Sequence, residues 1–95
     1  MPYSTYIVYS ETCDKFYTGE TENLTRRLAE HNEVFFEGAF TSKARDWKVF
    51  LRVEFDSRSK ARRFEQFIKL MKSRKFILSL KNDPKKLEDL LEKFS

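Results

Sequence analysis

From Trp47 to Phe55 the chain alternates residue by residue: Trp47, Val49, Leu51, Val53 and Phe55 fall on one parity, Lys48, Phe50, Arg52 and Glu54 on the other. A two-residue period of this length marks a strand with one face turned to a core. Such a strand is not stable alone in water. The rest of the chain must supply both its hydrogen-bonding neighbours and a layer that covers its apolar side.

The neighbours are found near the start. Thr5-Tyr6-Ile7-Val8-Tyr9 is β-branched and aromatic, Ser10 to Lys15 is polar and turn-like, and Phe16-Tyr17-Thr18 returns as the second arm of a hairpin. Gly19 is expected to end that arm. Thr21 reads as the N-cap, with Glu22 in the first turn, of a helix reaching about Asn32. Glu33 to Asp46 has no clean period, contains Gly38, and reads as a long loop. Asp56 and Ser57 cap a second helix from about Arg58, in which Ala61, Phe64, Ile68 and Met71 recur on one face. Ser73 restarts a short helix carrying Phe76, Ile77 and Leu80. Asp83-Pro84 opens an extra C-terminal helix over 83–94 that buries Leu87, Leu90, Leu91 and Phe94. The predicted order is β-β-α-β-α-α plus that last helix. This is an α+β fold with a small three-stranded, mainly antiparallel sheet flanked by helices.

Ninety-five residues, 40% hydrophobic and with ten Phe and four Tyr, suit a single domain over 1–95 with a compact core. No apolar run approaches the roughly 18 residues of a membrane span. Met1 to Thr5 has no basic stretch of the kind that opens a signal peptide. Cys13 is the one cysteine, with no partner for an internal disulfide or a zinc site. These features together predict a cytoplasmic protein that needs no small-molecule cofactor and does not contact a membrane.

The net charge is +4, unevenly spread. Residues 1–41 carry three basic against seven acidic side chains, residues 42–75 twelve against four, and residues 76–95 four of each. The central block reads either as a solvated helix face or as a surface for a polyanion, where each neutralised phosphate releases counterions. Lys43, Arg45, Arg58, Lys69 and Lys72 are its candidate nucleic-acid contacts.

On the first helix, Arg27 and His31 lie about 40° apart at 100° per residue and border the stripe that packs on the sheet. Arg27 so placed either presents a fork of donors to a phosphate or lays its stem over the core. Tyr6 and Tyr17 stand in the hairpin strands, where a phenol is ordinarily half-buried packing. Glu65 sits mid-helix between Phe64 and Phe67. It reads either as a partly shielded ligand for one hard cation or as the i, i+4 partner of Lys69.

In order along the chain, these pieces resemble the GIY-YIG endonuclease superfamily, and in particular its small stand-alone bacterial members. The resemblance rests on Thr5-Tyr6-Ile7-Val8-Tyr9-Ser10, then Phe16-Tyr17-Thr18-Gly19-Glu20-Thr21, then Asn23-Leu24, Arg27-Leu28 and His31-Asn32. The Trp47 strand, the Phe55 to Ala61 helix entry, the Glu65 helix and Lys72-Ser73-Arg74-Lys75 continue it, so that it spans about 4–80. It implies a DNA endonuclease, structure-specific and acting in repair or recombination. Tyr6 would be general base on the attacking water or orient it, and Tyr17 would bond the scissile phosphate or that water. Arg27 would stabilise charge growing on the phosphoryl oxygens. Glu65 would hold a single Mg²⁺ or Mn²⁺, and His31 would share proton traffic with Tyr6 or contact the phosphate.

The chain departs from the pattern in places. The first motif reads Ser4-Thr5-Tyr6, without its glycine, and the second has Thr18 for the aliphatic residue. Glu20, Glu22, Glu30, Glu33 and Glu37 surround the helix of Arg27 and must face away from a nucleic acid. Val34-Phe35-Phe36 is apolar within a loop. It reads as cover for the core together with a homodimer or protein contact through Phe35 and Phe36, or as a stacking surface for unpaired bases. Two other readings use the same fold: a nucleic-acid-binding module without turnover, and a protein-interaction adaptor.

Overall fold

The computed structural model describes residues 3–32 and 45–94. Three strands, β1 (Tyr3–Ser10), β2 (Lys15–Thr21) and β3 (Lys48–Phe55), form one sheet in the order β2-β1-β3 with both pairings antiparallel. Helix α1 (Leu24–Asn32) joins β2 to the segment before β3, and α2 (Arg58–Met71), α3 (Arg74–Asn82) and α4 (Pro84–Glu92) follow. This is the α+β architecture that the sequence predicts. Among the described residues, no helix is long and apolar enough to cross a membrane.

Because β1 is central, it is covered on both faces, which is why Ser4, Thr5, Tyr6, Ile7 and Val8 are buried in succession. On one face Ile7, Val53 and Phe55 meet Ala61, Phe64 and Ile68 of α2 and Phe76 and Leu80 of α3, with α4 closing over them through Leu87, Leu90, Leu91 and Phe94. On the other, Tyr6, Val8 and Trp47 pack with Leu24 of α1. The polar members of β1 have partners: Thr5 Oγ1 donates to the Ala61 carbonyl at 2.6 Å, and Ser10 Oγ to Asp46 at 2.5 Å. These bonds remove the cost of burying a hydroxyl.

The structure corrects the sequence reading in three places. The Trp47–Phe55 alternation does not lie on a single face. The β1–β3 register runs Ile7 to Leu51 and then Val8 to Val49, so Phe50 is an extra residue in a bulge. Phe50 turns to the larger core and stacks edge-on against Phe16, at 5.0 Å between centroids, while Trp47 falls on the α1 side. Asn32 fixes that switch by accepting from the Trp47 N–H at 2.7 Å and donating to its carbonyl at 3.0 Å. Second, Gly19 does not end β2 but lies inside it, paired with Tyr6. Third, Thr21 is still in the strand, and the cap of α1 is Asn23, whose side chain accepts from the Arg26 N–H at 3.1 Å. The expected caps Ser57, Ser73 and Asp83 each accept from the backbone N–H three residues on.

Candidate active site

Tyr6 lies beneath α1. It points from the central strand toward that helix, and its ring crosses over the neighbouring strand at Gly19. A β-carbon at Gly19 would stand 2.5 Å from Tyr6 Oη and 2.7 Å from Cζ. The glycine therefore has a steric role: it leaves room for the phenol to lie flat on β2.

At that position the hydroxyl has two partners. It lies 2.8 Å from His31 Nε2, and Arg27 Nε donates to it at 3.4 Å. A guanidinium cannot accept a hydrogen bond, so among these partners the phenolic proton has one destination, the imidazole nitrogen. The order is then Arg27 N–H to Tyr6 oxygen, and Tyr6 O–H to His31 Nε2. Leu24, packed in the core beside Tyr6, anchors the face of α1 that carries Arg27 and His31.

The electrostatics fit that direction. Burial pushes the Tyr6 phenol up to about 12, against the downward pull of the Arg27 hydrogen bond, with the charges of Tyr17 and Glu65 adding to the rise. His31 is held below its ordinary 6.5, first by burial and then by the Arg27 charge. At neutral pH the pair is a neutral phenol donating to a neutral imidazole. Arg27 is charged at any working pH, and its hydrogen bond to Tyr6 raises its pKa further against the opposing effect of burial.

Tyr17 stands beside this pair, its ring 6.5 Å from that of Tyr6 and 4.9 Å from that of His31. Glu65 approaches from α2. Its side chain is 16% exposed, with Oε1 3.4 Å from Lys69 Nζ, and Lys69 Nζ lies 5.9 Å over the Tyr17 ring. Of the two readings of Glu65, the i, i+4 pair with Lys69 is present, and the Glu65 charge also reaches the Tyr6 phenol. Tyr6, Tyr17, Arg27, His31 and Glu65 form one constellation, although they come from two strands and two helices.

Among the described residues, no three His, Cys, Asp or Glu side chains gather into a ready-made metal cage. Hard divalent cations keep several waters and are often held by one or two carboxylates plus substrate phosphate, and Glu65 is the one carboxylate of the constellation. Its counter-ion, Lys69, is half-exposed.

The predicted nucleic-acid contacts do not form one patch. Arg58 pairs with Glu20 at 3.3 Å, at the end of β2 nearest α1. Lys69 and Lys72 lie along β2 toward the hairpin turn, lining a groove with Tyr17. Arg45 is exposed next to Asp46, which bonds Ser10 and Thr12. Lys43, Phe35 and Phe36 lie outside the described residues. Of the acidic cluster, Glu20 is bound by Arg58 and Glu30 lies 3.6 Å from Arg27 Nη1, so both are partly neutralised. Two cationic neighbours were not singled out from the sequence. Arg26 lines a cleft of about 220 Å³ with Arg27, and Lys15 lines the groove with Lys69. Only membership of a basic surface could have marked them, and that signal does not rank individual residues.

The GIY-YIG catalytic domain family model matches residues 2–77, a span that holds all five members of the constellation and stops before α4. The chain is also similar to the UPF0213 protein of Bacillus halodurans, solved by solution NMR. The two are 28% identical with a TM-score of 0.53, over 88% of this chain and 89% of that one. No curated protein matches the chain.

Proposed function

This chain belongs to the GIY-YIG family, a family of nucleases, and on that premise we propose that it is a divalent-metal-dependent endonuclease that hydrolyses DNA phosphodiester bonds. Its setting would be cytoplasmic, on branched or nicked DNA arising in repair or recombination. The observation that carries the reading is the Tyr6 hydroxyl placed 3.4 Å from Arg27 Nε, which can only donate, and 2.8 Å from His31 Nε2.

A phenol pushed up to about 12 is almost never a phenolate at neutral pH, so Tyr6 acts as a relay. The attacking water gives its proton to Tyr6 Oη while Tyr6 passes its own proton to His31 Nε2. The water oxygen forms its bond to phosphorus, and the bond from phosphorus to the 3′ oxygen breaks. The leaving oxygen takes a proton from solvent, giving a 3′-hydroxyl and a 5′-phosphate, and His31 returns its extra proton to solvent. Tyr17 orients the phosphate or the water. Arg27 holds Tyr6 through Nε and directs its terminal nitrogens at the phosphoryl oxygens, where a preorganised donor is most effective. Glu65 would hold a single Mg²⁺ or Mn²⁺, which supplies positive charge to the phosphoryl and leaving oxygens.

The test is cleavage of branched and linear DNA with and without Mg²⁺, comparing wild type with Arg27→Ala and Glu65→Ala. Metal-dependent cutting should fall by about 10²–10³-fold in each variant. Binding without cutting in any metal would instead assign the chain to the non-catalytic module.

A further inference from the structure

β2 is an edge strand, and along its outer rim a groove of about 470 Å³ runs toward the junction of α2 and α3. The volume is in the range of sites that seat small organic groups. Phe16, Tyr17, Ile68 and Ile77 give it an apolar lining, and Lys15, Lys69, Lys72 and Arg74 bring four cations to it. The one carboxylate in the lining, Asp14, is already held by Arg74 and by the Tyr9 hydroxyl, each at 2.5 Å, which brings it down to about 2. Two of the cations sit over rings: Lys69 above Tyr17, and Arg74 at 5.4 Å from the centroid of Phe16.

A duplex presents phosphates and would use the cations, but it would leave the apolar lining uncovered. A peptide added to the β2 edge would use the lining and meet an excess of positive charge. An unpaired nucleotide strand uses both, with bases against rings and aliphatic groups and phosphates on lysines. Tyr17 is shared by the groove and the constellation, so the two are continuous. We infer that this groove seats an unpaired nucleotide strand where it leaves the scissile phosphate, making the substrate a flap or fork rather than a plain duplex. The inference deepens the proposed nuclease function and rests on it for the position of the scissile phosphate.

The test is fluorescence anisotropy without divalent metal, using a labelled ten-nucleotide DNA strand, the RNA strand of the same sequence, and the matching DNA duplex. Wild type should bind at least one single strand about tenfold more tightly than the duplex, and the DNA and RNA arms identify which sugar it accepts. Ile77→Trp, which fills the groove, should weaken single-strand binding by about tenfold, the size of one lost base contact. Lys72→Gly guards against misfolding, since Lys72 has φ 46° and glycine suits that backbone; it should weaken single-strand binding by about threefold or more. Equal or tighter duplex binding, or single-strand affinity that neither variant changes, overturns the groove assignment; the latter is also what a peptide occupant would give. Cleavage with Mn²⁺ of a duplex that carries the same ten-nucleotide DNA strand as an unpaired flap, by wild type and both variants, separates the two claims. Groove-dependent binding with no cutting removes the nuclease reading alone, and cutting with no groove dependence removes the groove alone.

Discussion

Gly19→Ala adds one methyl group to a strand interior, a change that ordinarily stabilises by about 0.4–1 kcal/mol through the unfolded chain when the backbone tolerates it. Here the sign should reverse. The new carbon would stand 2.5 Å from Tyr6 Oη and 2.7 Å from Cζ, so the ring must retreat by roughly 1 Å to reach ordinary contact distance. It has little room, being 1% exposed and packed with Val8, Leu24 and Trp47. Overpacking of a core costs about 1–3 kcal/mol, and loosening the bond to His31 adds about 1 kcal/mol. A net destabilisation of about 2–3 kcal/mol should lower Tm by 10 °C or more in a domain of this size. The clash involves the hydroxyl most closely, so Tyr6→Phe should relieve part of it. Urea melts of wild type, both single variants and the double variant measure the coupling, which we expect at about 1 kcal/mol or more. If Gly19→Ala stabilises the protein, or costs the same with and without the Tyr6 hydroxyl, the steric account of this glycine is wrong.

Lys72→Gly should stabilise the protein by about 0.5–1 kcal/mol, read as a Tm a few degrees higher, because a left-handed lysine costs more there than the added freedom of glycine. His31 is the only histidine in the chain, so its titration can be followed by NMR without ambiguity. Its folded pKa lies below 6.5, so the cleavage rate should fall in acid below that pH as the relay loses its acceptor. Stability should move with it: below about 6.5 the unfolded chain takes up a proton that the folded chain refuses, so urea midpoints should drop as pH falls, and less steeply in His31→Gln.

Local chemistry made most of the fold legible. The helix starts at Ser57, Ser73 and Asp83 are side-chain caps, and a cap is a property of a few adjacent residues. The apolar face of α4 is likewise visible as a spacing, and so is that of α2 over Ala61, Phe64 and Ile68, although Met71, expected on the same face, is exposed at the helix end. What the sequence hid depends on partners far along the chain. The Phe50 bulge reverses which face Trp47 occupies, and nothing between Trp47 and Phe55 announces it, because Phe50 suits either face. Gly19 looks like a strand end in the sequence for the same reason. A glycine is a poor strand former in isolation, and only Tyr6, thirteen positions earlier and directly across the ladder, gives it a reason to be there.

The five residues that gather around Tyr6 stand out in the sequence only as a set, because each alone has an ordinary structural explanation and some of those explanations also hold: Glu65 does pair with Lys69. What no motif conveys is the direction of the hydrogen bonds. A tyrosine that served as base in its resting phenolate form would have to be ionised about five pH units below a pKa of about 12, a penalty of about 7 kcal/mol at pH 7. A hydroxyl that gives its proton to a neutral imidazole as it receives one avoids that penalty, because it is never a free phenolate. Burial raises the first pKa and lowers the second, and both shifts come from the same α1 packing that holds His31 at 3% exposure. The packing that makes Tyr6 a poor base by itself is therefore what keeps His31 neutral and able to take the proton.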